Sequence, residues 1–360
     1  MDLLLGPAIL CATYALILGI HIVLPARRVE GYATHEVTSA PLPYRLNGVW
    51  VTALVLGGYA AGSLGGIWKW TVLYDHRWSS LAAACVLGVV LSLAAVTRQP
   101  PAHTGFARDL FLGRRLNLQW GRGHVDAKML LYLLGAALLA LHVVSFCAAH
   151  IEWGGLAAST GVLLHGALLV WFVFDYLIFE RVHLYTYDLF AERLGLKLIW
   201  GCLAFYPFFY VVGLWSVVAT PLPTPSPAWC VVAAAVFFSG WMLSRGANLQ
   251  KYTFKRDPAA TFLGWIPPRI LTDGSRTLLC SGFWARARHI NYLGEILMAS
   301  GLALAIGDPA RPGPWLYPLY YILLLVPRER DDDRRCAEKY GALWAEYRTR
   351  VPWRIIPRVY

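Results

Sequence analysis

Four acidic residues stand inside or beside long apolar stretches. Asp175 and Glu180 close one such run, Asp188 follows in Tyr185-Thr186-Tyr187-Asp188, and Glu295 falls within a shorter run. A carboxyl group at membrane depth is expensive to keep, so each is a candidate for proton chemistry in a cavity. For Glu180 and Asp188 the competing reading is an ion pair with Arg181 or Arg193 at the water boundary. A second set of residues suits a phosphate-bearing, ring-bearing ligand. Lys251 and Lys255 are one helical turn apart in Gly246-Ala247-Asn248-Leu249-Gln250-Lys251-Tyr252-Thr253-Phe254-Lys255. Downstream lie Ser281-Gly282-Phe283-Trp284-Ala285-Arg286-Ala287-Arg288-His289-Ile290-Asn291-Tyr292 and Arg330-Asp331-Asp332-Asp333-Arg334-Arg335-Cys336-Ala337-Glu338-Lys339-Tyr340-Gly341. Cations hold phosphates, aromatic rings stack on flat heterocycles, and a carboxylate accepts from an amide or hydroxyl. By composition alone these segments fit equally a basic collar beside a membrane.

Other chemistries are absent from the sequence. The seven cysteines form no C-x-x-C, and the closest pair is 28 residues apart. His21, His142 and His165 lack a second ligand at i+3 or i+4, so they read as hydrogen-bonded packing residues and no metal site is expected. H-E-x-x-H, G-x-S-x-G and Walker motifs do not occur, nor does a dinucleotide fingerprint after a strand.

The elements that must carry these residues follow from composition. Hydrophobic residues make up 58% of the 360 and charged residues 15%, with a mean hydropathy of +0.49. Soluble domains carry about 25% charge, so the chain reads as an all-α, polytopic transmembrane helical bundle. Apolar runs long enough to span cover 3–24, 49–68, 79–97, 129–149, 156–179, 197–219 and 227–244. Two shorter runs, 292–306 and 314–327, form a hairpin turning at Gly307-Asp308-Pro309, which brings the total to nine or ten spans. Segment 98–128 holds six Lys/Arg against two acids and 245–291 holds eight against two. The positive-inside bias then places these segments and the C-terminus in the cytoplasm, and accounts for the net charge of +11 without nucleic acid. Gly58, Gly62 and Gly66 form a small-residue ladder expected to let helices approach closely. The organisation expected is an N-terminal set of about seven spans, 1–244, and a C-terminal region, 245–360, that forms a cytoplasmic nucleotide-binding end with a short transmembrane hairpin.

The order of residues resembles the sterol reductase family, which includes Δ14- and Δ7-sterol reductases and the membrane domain of the lamin B receptor. The similarity runs over nearly the whole chain, at Tyr44-Arg45-Leu46-Asn47-Gly48, Leu112-Gly113-Arg114-Arg115-Leu116-Asn117 and Asn248 to Pro258. It is densest from Leu278 to Tyr360, in Gly282-Phe283-Trp284, Arg288-His289-Ile290-Asn291-Tyr292, Arg335-Cys336-Ala337-Glu338-Lys339-Tyr340-Gly341 and Val351-Pro352-Trp353-Arg354-Ile355-Ile356-Pro357.

The resemblance implies an NADPH-dependent reduction of a sterol ring double bond. By motif position the cofactor residues would be Lys251, Lys255, Leu279, Trp284, Asn291, Tyr292, Asp332, Cys336, Tyr340 and Tyr347. Lys255 departs from the arginine usual there, and Arg256 beside it is a substitute. Asp331-Asp332 stand where many members have Arg-Asp, with Asp332 taken as the match. An unactivated alkene accepts hydride only after a proton has made it a carbocation, so an acid that stays protonated and a dry pocket are required. Asp175, Glu180 and Asp332 are the acid candidates, with Tyr210 as reserve donor or substrate contact. The sterol is expected to enter laterally from lipid, among the fifth to ninth spans. Trp200-Gly201-Cys202-Leu203, Tyr185-Thr186-x-Asp188, Ser281-Gly282-Phe283-Trp284 and Glu295-Ile296-Leu297 resemble Δ7 reductases most, so Δ7 is the expectation. Δ14 is the alternative, a non-catalytic sterol-binding membrane protein is the alternative of another class, and an isoprenylcysteine-type methyltransferase is a distant one. The host membrane would be the endoplasmic reticulum in a eukaryote and the cytoplasmic membrane in a bacterium.

Overall fold

Every apolar run but the sixth becomes a helix in the computed structural model, which describes residues 2–35, 38–103 and 105–360, the side chains of Asp2 and Leu3 apart. The main helices are α1 (Asp2–Val23), α2 (Gly48–Leu64), α3 (Arg77–Thr97), α4 (Ala127–Gly154), α5 (Thr160–Ile178), α6 (Leu196–Phe209), α7 (Pro227–Arg256), α8 (Ile290–Ala305), α9 (Pro312–Tyr340) and α10 (Ala342–Arg350). Five stretches among the described residues are long and apolar enough to cross a membrane: Leu4–Val23, Arg77–Thr97, Ala127–Gly154, Ala157–Ile178 and Pro227–Arg256. Gly48–Leu64, Leu196–Phe209 and Ile290–Ala305 are shorter apolar helices. The protein is a multi-pass helical membrane bundle. Among the described residues the strands pair as antiparallel two-stranded hairpins, β1 (Arg27–Thr34) with β2 (Pro41–Leu46), β3 (Gln119–Trp120) with β4 (Val125–Asp126), and β5 (Ile270–Thr272) with β6 (Thr277–Leu279).

Local sequence explains most helix ends. Asp126 caps α4 by accepting from the Met129 N–H at 3.0 Å. Ser226 caps α7 through the Trp229 N–H at 3.2 Å, with Pro227 in the first turn after the uncharged Pro-rich stretch. Gly341 ends α9 with a φ of +55°.

The chain divides into two compact units, residues 1–224 and 225–360. In the first, α4 is the central helix, with Leu138, Leu139, Ala140, Leu141, Val143 and Phe146 all buried. The sixth apolar run is not one continuous helix. Residues 201–205 form a π-turn in which the Tyr206 N–H reaches Gly201 O, and the segment breaks again before Val212–Trp215. Pro207 explains the local break, because it has no N–H to give the carbonyl of Leu203 four residues earlier. The Tyr14 hydroxyl supplies the missing donor to that carbonyl at 2.6 Å. His21 and His142 are hydrogen-bonded packing residues, to Asn47 Oδ1 at 2.6 Å and Pro207 O at 2.9 Å.

The glycine ladder does not do what its spacing suggested. A methyl on Gly58 or Gly66 would meet open space, Gly66 lies beyond the end of α2, and Gly62 packs on the indole of Trp68 in the following turn. Close helix approach occurs in the second unit instead. A Cβ on Gly294 of α8 would lie 2.5 Å from Ser244 N, and one on Gly240 of α7 would lie 2.5 Å from Gly294 O. Glu295 sits on this seam and accepts from the Ser244 hydroxyl at 2.6 Å, so it ties α7 to α8.

Candidate functional site

The second unit gathers the basic and aromatic segments at one end. The seventh apolar run, 227–244, continues unbroken to Arg256, and its last turns carry Lys251 and Lys255. A 3-10 turn, Gly282–Ala285, docks Trp284 on this helix, where its indole N–H donates to Ala247 O at 2.9 Å. Gln250 clamps the turn: its amide donates to Ser281 O at 3.0 Å and accepts from the Phe283 N–H at 3.0 Å. Gly282 is required here, since a Cβ would lie 2.4 Å from the Gln250 amide and φ is +60°. Lys251 Nζ stands 4.9 Å above the Trp284 ring. Leu279, on β6, packs in the same apolar cluster as Trp284, Ala247 and Ile290.

Asp332, Cys336 and Tyr340 follow at four-residue spacing along α9, on one face. Cys336 Sγ lies 4.0 Å from Asp332 Oδ2. From the start of α8, His289 brings Nε2 to 3.7 Å from Asp332 Oδ2 and stacks on Tyr292 at 4.8 Å. Tyr347 of α10 is buried and donates to Trp284 O at 3.3 Å, and Tyr340 stacks on Trp344 at 6.4 Å. Lys339 completes the group, close enough to Lys251 and Lys255 for the three charges to repel one another. Lys251, Lys255, Leu279, Trp284, Tyr292, Asp332, Cys336, Tyr340 and Tyr347 are thus linked through neighbouring contacts, with His289 and Lys339 as members that sequence reasoning assigned no role. Both stood inside quoted motifs, but neither has a local signal of its own.

The electrostatics suit a ligand rather than a nucleophile. Burial pushes the Cys336 thiol up to about 12, and the neighbouring Asp332 carboxylate adds to the rise, so the thiol stays protonated. Burial, reinforced by the charges of Lys251 and Arg288, drives His289 down to about 3, so the ring is neutral. His289 Nε2 and Asn291 Oδ1 are buried with no hydrogen-bond partner among the described residues. Buried polar atoms are almost always satisfied. An unsatisfied His289 Nε2 near Lys251, with the crowded lysines and the Trp284 face, suits the chemistry of a ligand bearing phosphate and a ring. Arg256 does not join the lysines; its guanidinium lies over Tyr252, 5.6 Å from the ring centre, and donates to the Tyr252 hydroxyl at 3.2 Å.

An ion network anchors this end. Glu329 is fully buried and accepts from Arg354 at 3.1 Å. Arg288 donates to Val351 O at 2.9 Å and Pro352 O at 3.0 Å. The Trp344 indole donates to Asp333 at 3.1 Å, and the backbone N–H of His289 donates to Arg354 O at 2.7 Å. The Val351–Pro357 motif is thus a strap that holds the residues preceding α8.

The other acid candidates belong to the first unit. Glu180 is 6% exposed and accepts from the Gly48 N–H at 3.2 Å, at the start of α2. Burial pushes Glu180 up to about 8, with the Gly48 N–H pulling the other way. One turn earlier on α5, Tyr176 stacks on His183 at 3.9 Å and lies within electrostatic range of Tyr206, Cys202, Asp188 and Glu180. Asp175 is buried beside it in sequence, and Tyr210 connects through the Tyr206 ring at 4.7 Å. Tyr176 is the central residue that sequence reasoning passed over; its spacing of four from Glu180 was the available sign. The Leu112–Asn117 motif is structural: Leu194 N–H donates to Arg115 O at 2.9 Å, and Arg193 to Arg114 O at 2.6 Å.

A helical membrane bundle whose second unit ends in a lysine, tryptophan and carboxylate cluster defines an integral membrane protein with a basic, aromatic end to that unit. Residues 8–360 match the ergosterol biosynthesis ERG4/ERG24 family, and the chain belongs to it. It is 33% identical over 349 residues to the Delta(14)-sterol reductase of Arabidopsis thaliana, covering 94% of this chain and 91% of that protein. It is also 33% identical over 351 residues to the Delta(14)-sterol reductase of Methylotuvimicrobium alcaliphilum, covering 93% and 79%. Delta(14)-sterol reductase LBR of Gallus gallus is 30% identical over 327 residues, covering 87% and 50%. These relatives carry the Δ14 name, not the Δ7 name to which Cys202 and its neighbours pointed.

Proposed function

We propose that this protein reduces the Δ14 double bond of a sterol with NADPH. The observation that carries the cofactor half is the gathering of Lys255 and Lys339 around Lys251, which stands over the Trp284 ring, with the unsatisfied Nε2 of His289 near Lys251. What favours Δ14 over Δ7 is whole-chain similarity to relatives of that name, against a Δ7 lean that rested on a few side chains.

NADPH, when bound, supplies the hydride. Lys251, Lys255 and Lys339 would neutralise its phosphates. Trp284, Leu279, Tyr340 and Tyr347 would form apolar and aromatic walls, and Asn291, Tyr292 and Asp332 would meet its polar edges, with Cys336 packing as a neutral thiol. The proton is the chain's own task. A carboxyl held at about 8 keeps its proton at neutral pH, which makes Glu180 the strongest acid candidate. Asp175 and Tyr210 remain candidates as relay or substrate contact. Apolar walls matter because water would quench a carbocation.

Membranes containing the protein, given an 8,14-diene and a 5,7-diene sterol with NADPH and then NADH, test the reading. Consumption of the 8,14-diene with NADPH is expected. Consumption of the 5,7-diene alone would return the assignment to Δ7. NADPH binding without turnover of either would refute the substrate, and absence of both turnover and NADPH binding would leave a non-catalytic sterol-binding protein.

A further inference from the structure

The turn that follows α7 holds two large apolar side chains in the open. Leu263 is 63% exposed and Trp265 72%, whereas Phe262 between α7 and the turn is 7% exposed. The display is built in. Phe262 and Ile266 exchange both backbone hydrogen bonds at 2.9 Å, and the Trp265 N–H donates to Phe262 O at 3.3 Å. Leu263 adopts a φ of +54°, a left-handed conformation that a side chain other than glycine's rarely takes.

The position of the turn supplies the reason. The chain folds back along α7, so that the Phe262 ring lies 6.4 Å from Phe283. Phe283 in turn fills the notch at Gly246, where a Cβ would lie 2.4 Å from its ring. Gly246 is two residues beyond Ser244, where the apolar run ends, a rise of about 3 Å along the helix. It is also one turn on from Met242, which is 55% exposed and follows Phe238 on the surface available to lipid. The exposed arginines Arg256 and Arg269 bracket the turn in sequence.

We propose that residues 261–266 are a bilayer-docking tip, seating Leu263 and Trp265 in the headgroup region beside the end of the α7 span, with Arg256 and Arg269 meeting anionic lipid. Tryptophan favours that depth, arginines near the surface attract anionic headgroups, and the apolar surface of α7 continues into the tip.

The test uses the full chain labelled with 5-fluorotryptophan in lipid nanodiscs. The Trp265 fluorine resonance is assigned by its disappearance in Trp265→Phe, and the unchanged remaining tryptophan resonances show that the variant is folded. A nitroxide on the lipid headgroup should remove most of the Trp265 intensity, while a soluble gadolinium chelate should spare it. Leu263→Asp should reverse the pattern. In phosphatidylcholine with phosphatidylserine the nitroxide effect should exceed that in phosphatidylcholine alone, and Arg256→Gln with Arg269→Gln should abolish the difference. Loss to the chelate and survival with the nitroxide in both lipids would overturn the proposal. Protection from both reagents would overturn it too, by showing a protein partner or second copy on the tip.

Discussion

Replacing Glu180 by glutamine separates the protonated carboxyl from every other feature of its surroundings. The residue is 6% exposed, and Gly48 N–H donates to it at 3.2 Å, a bond that the glutamine carbonyl can keep. Burial raises the group from 4.5 to about 8, a difference corresponding to about 5 kcal/mol at 1.36 kcal/mol per pH unit. Below pH 4.5 the carboxyl is neutral in folded and unfolded chains alike, and the stability is fully present. Between 4.5 and about 8 the unfolded chain has released the proton while the folded chain retains it, so stability falls as pH rises. Above about 8 the loss is complete. The wild-type thermal midpoint in nanodiscs should therefore decline across that window relative to Glu180→Gln, and the variant should be the more stable protein at high pH. Turnover carries the second readout. Wild-type rate should drop as pH passes 8, and the variant should lose on the order of 10²–10⁴-fold, the worth of a positioned general acid. Parallel pH dependences of the two midpoints would refute the protonated carboxyl. A flattened midpoint profile with turnover intact would refute its catalytic use while leaving the electrostatics standing.

Two other outcomes follow from the second unit. Lys255→Arg places a planar fork among Lys251 and Lys339, so the KM for NADPH should fall several-fold against that for NADH with kcat unchanged, measured by steady-state kinetics. Glu329→Ala removes the fully buried acceptor of Arg354, whose side chain is 29% exposed, and should cost about 3 kcal/mol in thermal or denaturant unfolding. NADPH affinity should weaken with it, because the Arg354 carbonyl holds the backbone of His289.

Length and composition alone locate α1 to α5 and α7 to α9, because about twenty apolar residues can satisfy their backbone in a membrane only as a helix. The break in α6 was also written locally, in Pro207, but its outcome was not. A proline can kink, end or π-bulge a helix, and the choice here depends on Tyr14, 189 residues away from the Leu203 carbonyl it satisfies. The glycine ladder failed for a similar reason: spacing states that small residues share a face, while only packing states whether another helix lies against it.

The candidate site divides in the same way. The cations, aromatics and carboxylates of the last third, and the motif order that resembles the sterol reductases, are properties of the sequence by itself. So are the membrane class, the basic segments and the choice of Lys251, Trp284, Asp332 and Cys336 for scrutiny. Tertiary structure alone decided that Lys339 joins Lys251 and Lys255, that Arg256 turns away onto Tyr252, and that His289 meets Asp332 across 43 positions of chain. It likewise buried Glu180, which the sequence left between acid candidate and boundary ion pair, on the Gly48 N–H, and made Glu295 a packing tie. Periodicity records which residues share a face of one helix. Burial and pairing, which set the charge state and the electrostatic strength of each group, are fixed only when helices distant in sequence come into contact.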